Sequence, residues 1–126
     1  MRGTRTRREI DKARGRFRLR PMSERRVAWP EIPWEAGNHP LELKKVAPGQ
    51  PCTLLRFLPG FADPNMCRRS HVLHVLEGVL TVEFQNGIDY VSAGESYVLR
   101  PGTAHRARND SPAELLMLAV SDIHWS

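Results

Sequence analysis

Few side chains in this 126-residue sequence could carry chemistry, and the five histidines and two cysteines stand out among them. Imidazole and thiolate both bind zinc and related divalent metals well, so what matters is which of them converge. His105 stands three residues after the glycine of a Pro101-Gly102 turn. Glycine permits a tight turn there, and the turn sets the register of the next strand so that His105 points inward. His71 shares a period-two face with Leu73 and Val75 and is expected to point inward with them, while His74 falls on the opposite face. Cys52 opens a run of core-like residues and reads as structural, and His39 and His124 lie in terminal segments. Arg56, Tyr97 and Arg100 sit on neighbouring strands, where they either orient an anionic small molecule or project into solvent. The sequence shows no paired carboxylates and no nucleophile with an assigned base, so it names no catalytic residue and no organic-cofactor site.

The elements that must position these groups read as short strands. Candidate strands are Leu41 to Ala47, Cys52 to Leu58, Ser70 to Leu76, Val79 to Phe84, Ile88 to Ser92, Ser96 to Leu99, His105 to Ala107 and Glu114 to Val120. Each is bounded by Gly, Pro or Asn, and no segment after residue 26 keeps a 3.6-residue apolar period. An all-β sandwich or barrel follows. The stretch from Trp29 to Pro40 is rich in Pro, Trp and Gly and predicts an irregular lead-in packed by its tryptophans.

The length suits one hydrophobic core, and no apolar run approaches the roughly 20 residues of a membrane span. The basic N-terminus lacks the apolar stretch of a secretory signal, so a cytoplasmic location is the expectation, with both cysteines free. Charge is uneven: residues 1–26 hold 11 Lys/Arg against 3 acids, whereas the remainder holds 8 against 11. Two segments are therefore expected, a basic arm over 1–26 and a single domain over 27–126. The arm is either a phosphate-neutralising segment or, as favoured here, a solvated tail or an extension upstream of a working start at Met22. Nucleic acid is accordingly not the expected partner.

The run Gly94-Glu95-Ser96-Tyr97-Val98-Leu99-Arg100-Pro101-Gly102-Thr103-Ala104-His105-Arg106-Ala107-Arg108-Asn109 resembles the second conserved motif of the cupin family, in which a histidine three residues after the turn glycine is followed by an asparagine four residues later. The first motif has two histidines separated by one residue, then a glutamate, then a glycine. Counting back from Gly78 puts the glutamate position at His71 and the histidine positions at Asn65 and Cys67. Gly60 lies within one residue of that motif's opening glycine, and 15 residues separate Gly78 from Gly94. The likeness covers about residues 60–109. It implies a cupin-type jelly-roll barrel, a double-stranded β-helix of antiparallel strands like the small RmlC-like, type-2 cupins, and a homodimer.

The resemblance also implies a metal set of His71, His105 and Cys67, although Cys67 reads equally well as a small buried residue. Asn65, Arg56 and Tyr97 become candidate substrate contacts, and Met66 either adds a soft donor or fills space. Zinc is favoured, with copper, nickel or iron as alternatives; loss of the carboxylate disfavours the two-His-one-carboxylate iron site, and an empty pocket stays open. Three functions are carried forward. The first is a metal-dependent enzyme acting on a small organic molecule, which is slightly preferred. The others are a metal-free ligand-binding or sensor barrel and, last, a nucleic-acid-associated regulator using the arm. Cupins include oxygenases, isomerases and lyases, so fold alone does not choose a reaction.

Overall fold

A computed structural model describes residues 25–122; most of the expected basic arm, with Met22, and His124 lie outside the described residues. One turn of 3-10 helix, Trp29–Glu31, precedes nine strands: β1 (Glu35–Ala36), β2 (Glu42–Val46), β3 (Cys52–Phe57), β4 (His71–Glu77), β5 (Val79–Phe84), β6 (Gly87–Ser92), β7 (Ser96–Leu99), β8 (His105–Arg108) and β9 (Leu115–Ser121). All eight expected strands form, each within one residue at either end. β1 and the helical turn, inside the expected irregular lead-in, are additions. Among the described residues no helix is long and apolar enough to cross a membrane.

Every pairing is antiparallel. A six-stranded sheet runs β1-β2-β3-β9-β4-β7 and a three-stranded sheet runs β6-β5-β8, the double-sheet jelly roll that the resemblance implied. Between them lies a core built from alternate residues: Phe57 on β3, Leu73 and Val75 on β4, Leu80 and Val82 on β5, Leu115, Met117 and Ala119 on β9. Phe61 stacks on Phe57 with ring centroids 3.8 Å apart. Trp29 and Trp34 pack outside this core; Trp34 is covered by Lys45 at 4.9 Å and Arg56 at 4.5 Å.

The two outer faces differ. On the three-stranded sheet Glu83 is held between Arg106 and Arg108. On the six-stranded sheet, register places Cys52, Val120, Val72 and Val98 in one row across four strands, with Leu54 and Leu118 paired in the adjacent row. The first of these rows is apolar, while Lys45, Arg56, His74 and Ser96 share the rest of that face. Cys52 thus lies outside the core that its neighbours suggested.

A segment over residues 60–67 extends the small sheet by bridging to β8, at Ala62 with Arg108 and at Cys67 with His105. Asn109, fully buried, anchors it. Its backbone N–H donates to Phe61 O (2.9 Å), and its carbonyl accepts from Gly60 N (3.0 Å). The Asn109 side-chain amide donates to Phe57 O (3.0 Å) and Ala113 O (2.9 Å), while Oδ1 accepts from the Ser111 N–H (3.1 Å) and hydroxyl (2.9 Å). Asn109→Ala removes the side-chain donor to Phe57 O and the acceptor of Ser111, leaving Ala113 O with the Ser111 hydroxyl alone, and is expected to cost about 2–4 kcal/mol in urea unfolding. A loss below ~1 kcal/mol would mean that the backbone bonds hold the segment unaided.

Candidate metal centre

Cys67 and His105 are cross-strand partners that exchange both backbone hydrogen bonds: Cys67 N–H donates to His105 O at 2.6 Å and His105 N–H donates to Cys67 O at 2.9 Å. Directly opposed residues project from the same face of a sheet, so thiol and imidazole emerge together. The third group comes from the facing sheet. His71 opens β4, and its ring meets that of His105 edge-on, with centroids 5.2 Å apart and planes at 87°. One ligand atom each from Cys67, His71 and His105 lies within 4.8 Å of the others, and no fourth Asp, Glu, Cys or His joins them among the described residues.

The outer nitrogens are oriented. His105 Nδ1 lies 2.9 Å from Thr103 O, a carbonyl that can only accept, so Nδ1 carries the hydrogen and a neutral ring presents Nε2 as a lone pair. His71 Nδ1 lies 2.9 Å from the Ser121 hydroxyl, leaving Nε2 toward Cys67 Sγ at 3.5 Å. The Arg69 backbone N–H donates to that sulfur at 3.4 Å. Burial, reinforced by the His105 imidazole and the Arg69 guanidinium, pulls the His71 imidazole down to about 4. At neutral pH it is therefore uncharged, the form that binds metal.

Zinc in tetrahedral coordination separates a thiolate sulfur from an imidazole nitrogen by about 3.5 Å, given the usual bond lengths. The Cys67–His71 pair already has that spacing, and His105 offers a ligand atom within 4.8 Å of both. Three protein donors with one open position is the arrangement of catalytic rather than closed structural zinc sites.

Of the remaining expected residues, Tyr97 faces the interior at two pairs' distance from His71, packed on Phe84 with ring centroids 5.9 Å apart and hydrogen-bonded to Asp89. Asn65 is exposed on the segment that carries Cys67, next to the exposed Met66. Arg56 is directed away from Leu55 and Phe57, onto Trp34 and toward Glu114 at 3.5 Å, so the structure does not bring it to the cluster. His74 is on the outer face, 2.7 Å from the Ser96 hydroxyl.

Three contributors went unnoticed in the sequence. Thr103 and Ser121 orient the two imidazoles, and Asp63 is a half-buried carboxylate in the field of His105. Burial raises its pKa, opposed by the hydrogen bond from Ala107 N–H and by the charges of His105, His39 and Arg106. Thr103 sits within the turn and was accessible to inspection; Ser121 becomes a partner of His71 only through strand pairing.

Residues 54–121, more than half of the chain, match the family described as "Cupin domain". The chain belongs to the cupin family. No curated protein matches its sequence. Among solved structures this cupin is similar to the polyketide cyclase RemF from Streptomyces resistomycificus, with 19% identity over 78% of each chain and a TM-score of 0.66. An RmlC-like cupin from Shewanella frigidimarina gives 21% identity over 80% of this chain and 93% of that one, with a TM-score of 0.63. A sugar phosphate isomerase of the cupin superfamily from Silicibacter pomeroyi gives 15% identity over 79% and 76%, with a TM-score of 0.65. At these identities the likeness is one of fold.

The His71 imidazole has its ordinary pKa near 6.5 in the unfolded chain and about 4 in the folded one. As pH falls the unfolded chain takes up this proton first. The contribution of the neutral buried ring is therefore complete above about 6.5 and lost by about 4. Urea unfolding of metal-free protein across that window is expected to show stability falling with acidity, with a shallower slope in His71→Gln. Equal slopes would place the titration elsewhere.

Proposed function

We propose that this cupin holds one divalent metal ion, zinc first among the choices, on Cys67, His71 and His105, and acts through it on a small organic molecule. The observation that carries the reading is the convergence of one thiol and two imidazoles from both sheets, each imidazole oriented by its far nitrogen. An ion held by these three residues would supply Lewis acidity. The chain's own residues do the rest. Thr103 and Ser121 hold the ring orientations, as partners of metal-ligating histidines do generally, and the Arg69 N–H stabilises negative charge on the Cys67 sulfur. The apolar barrel below keeps the site shielded from water on its inner side. A reducing, cytoplasmic setting belongs to the reading, because it keeps the thiol available. Similar folds carry enzymes named as a polyketide cyclase and a sugar phosphate isomerase, so the fold leaves the reaction class open.

Elemental analysis of untagged protein is expected to find about one zinc, or a related divalent ion, per chain. His71→Ala and His105→Ala should each lose it, and Cys67→Ser should bind it at least about tenfold more weakly. A wild-type chain that stays empty when metal is offered would leave a metal-free ligand-binding barrel as the function.

As part of the same proposal, the chain pairs with a second copy through the outer face of its six-stranded sheet. Val98 there is 53% exposed in a row otherwise made of Cys52, Val72 and Val120, a composition suited to burial in a two-fold interface. Sedimentation should give a dimer for wild type and a monomer for Val98→Lys with an unchanged circular dichroism spectrum. A monomeric wild type at the highest soluble concentration removes this pairing.

A further inference from the structure

Beside the metal centre lies an open cavity of about 390 Å³, formed by Arg68, the end of β5 with its hairpin (Phe84, Gln85, Asn86) and the turn Gly102, Thr103, Ala104. Its place in the chain ties it to the site. Arg68 follows Cys67, Ala104 precedes His105, and Phe84 is the β5 partner of His105. The cavity is thus one residue along the chain from two of the three candidate ligands and reaches His105 through Phe84, although none of the three lines it. Its size falls within the range of small-molecule sites, about 300–1,000 Å³.

The lining has a definite chemistry. Arg68 is its one charged residue, and no acid lines the cavity. The Arg68 guanidinium is steadied by Nη1–H donating to Gly102 O at 2.8 Å, and the backbone is fastened at the same place, with Gly102 N–H donating to Arg68 O at 2.8 Å. A guanidinium spends one donor in that bond and keeps the others for an anion, best a planar one that accepts two parallel bonds. Arg69 is occupied differently, with its fork on Asp122 at 3.0 and 2.5 Å. The amides of Gln85 and Asn86 and the Thr103 hydroxyl can each donate and accept, which matches hydroxyl groups on a ligand. The Phe84 ring offers an apolar surface for a carbon skeleton.

We propose that this cavity binds the carboxylate of a small hydroxylated acid through Arg68, with its hydroxyls on Gln85, Asn86 and Thr103, beside the metal centre. The inference names the substrate class for the proposed metal site and rests on that reading for its chemistry, whereas binding itself does not require the metal.

The test is an NMR titration of the full chain, metal-free and zinc-loaded, with tartrate, gluconate and glucuronate, following the side-chain amides of Gln85 and Asn86. Glucose serves as the neutral counterpart and glucose 6-phosphate as the competing anion. At least one of the three acids is expected to shift both amides saturably and at least about tenfold more tightly than glucose. Arg68→Ala should weaken that binding about tenfold or more, with Arg68→Lys in between, while zinc content stays that of wild type. The proposal is overturned if none of the three acids gives a saturable shift, if glucose binds as well, if glucose 6-phosphate binds more tightly than every carboxylate, or if Arg68→Ala binds as wild type does. Should Arg68→Ala fail to fold, Asn86→Ala on the exposed hairpin takes its place; unchanged affinity there counts against the proposal. Zinc analysis of the zinc-loaded sample separates the two readings, because a chain that takes up no zinc when it is offered and still binds the acid through Arg68 refutes the metal centre alone.

Discussion

The reciprocal pair of backbone hydrogen bonds between Cys67 and His105 governs the rest of the site. Main-chain bonds of 2.6 and 2.9 Å allow those two residues little freedom to slide. A one-residue slip would turn both side chains to the opposite face of the sheet. The same pairing brings Arg68 against Gly102 and so shapes the neighbouring cavity. It depends in turn on Asn109, which ties the start of the 60–67 segment to the end of β8 and reaches the end of β3 through Phe57 O.

A second constraint acts across the barrel. His71 is carried by a different sheet, and its position relative to Cys67 and His105 is set by how the two sheets pack over the Phe57, Leu73, Leu80 and Met117 core. That core excludes water below the cluster, which is why the His71 ring resists protonation. The neutral His71 ring, held beside Cys67 and His105, is thus already in its metal-binding form at neutral pH.

The faces of the sheets divide the remaining work. Charged side chains ladder the outside of the small sheet, where Glu83 bridges two half-covered arginines. Across the large sheet one outer row carries valine and cysteine in register, a pattern that alternation along any one strand does not reveal.

The sequence by itself determined the strands, the turn before His105 and the inward direction of His71, because period-two alternation and turn glycines are local properties; Gly102 does adopt the left-handed conformation, with φ of 89°, that its turn demands. The spacing around Gly78 also brought Cys67 into view. Tertiary structure alone decided the partners: Ser121 beside His71 across 50 residues of chain, Asp63 near His105, Arg56 drawn onto Trp34 and away from the site, and Cys52 on the outer face. Each of these depends on which strand lies next to which and in what register. That choice is made by burial of the whole core, so no short window of sequence contains it.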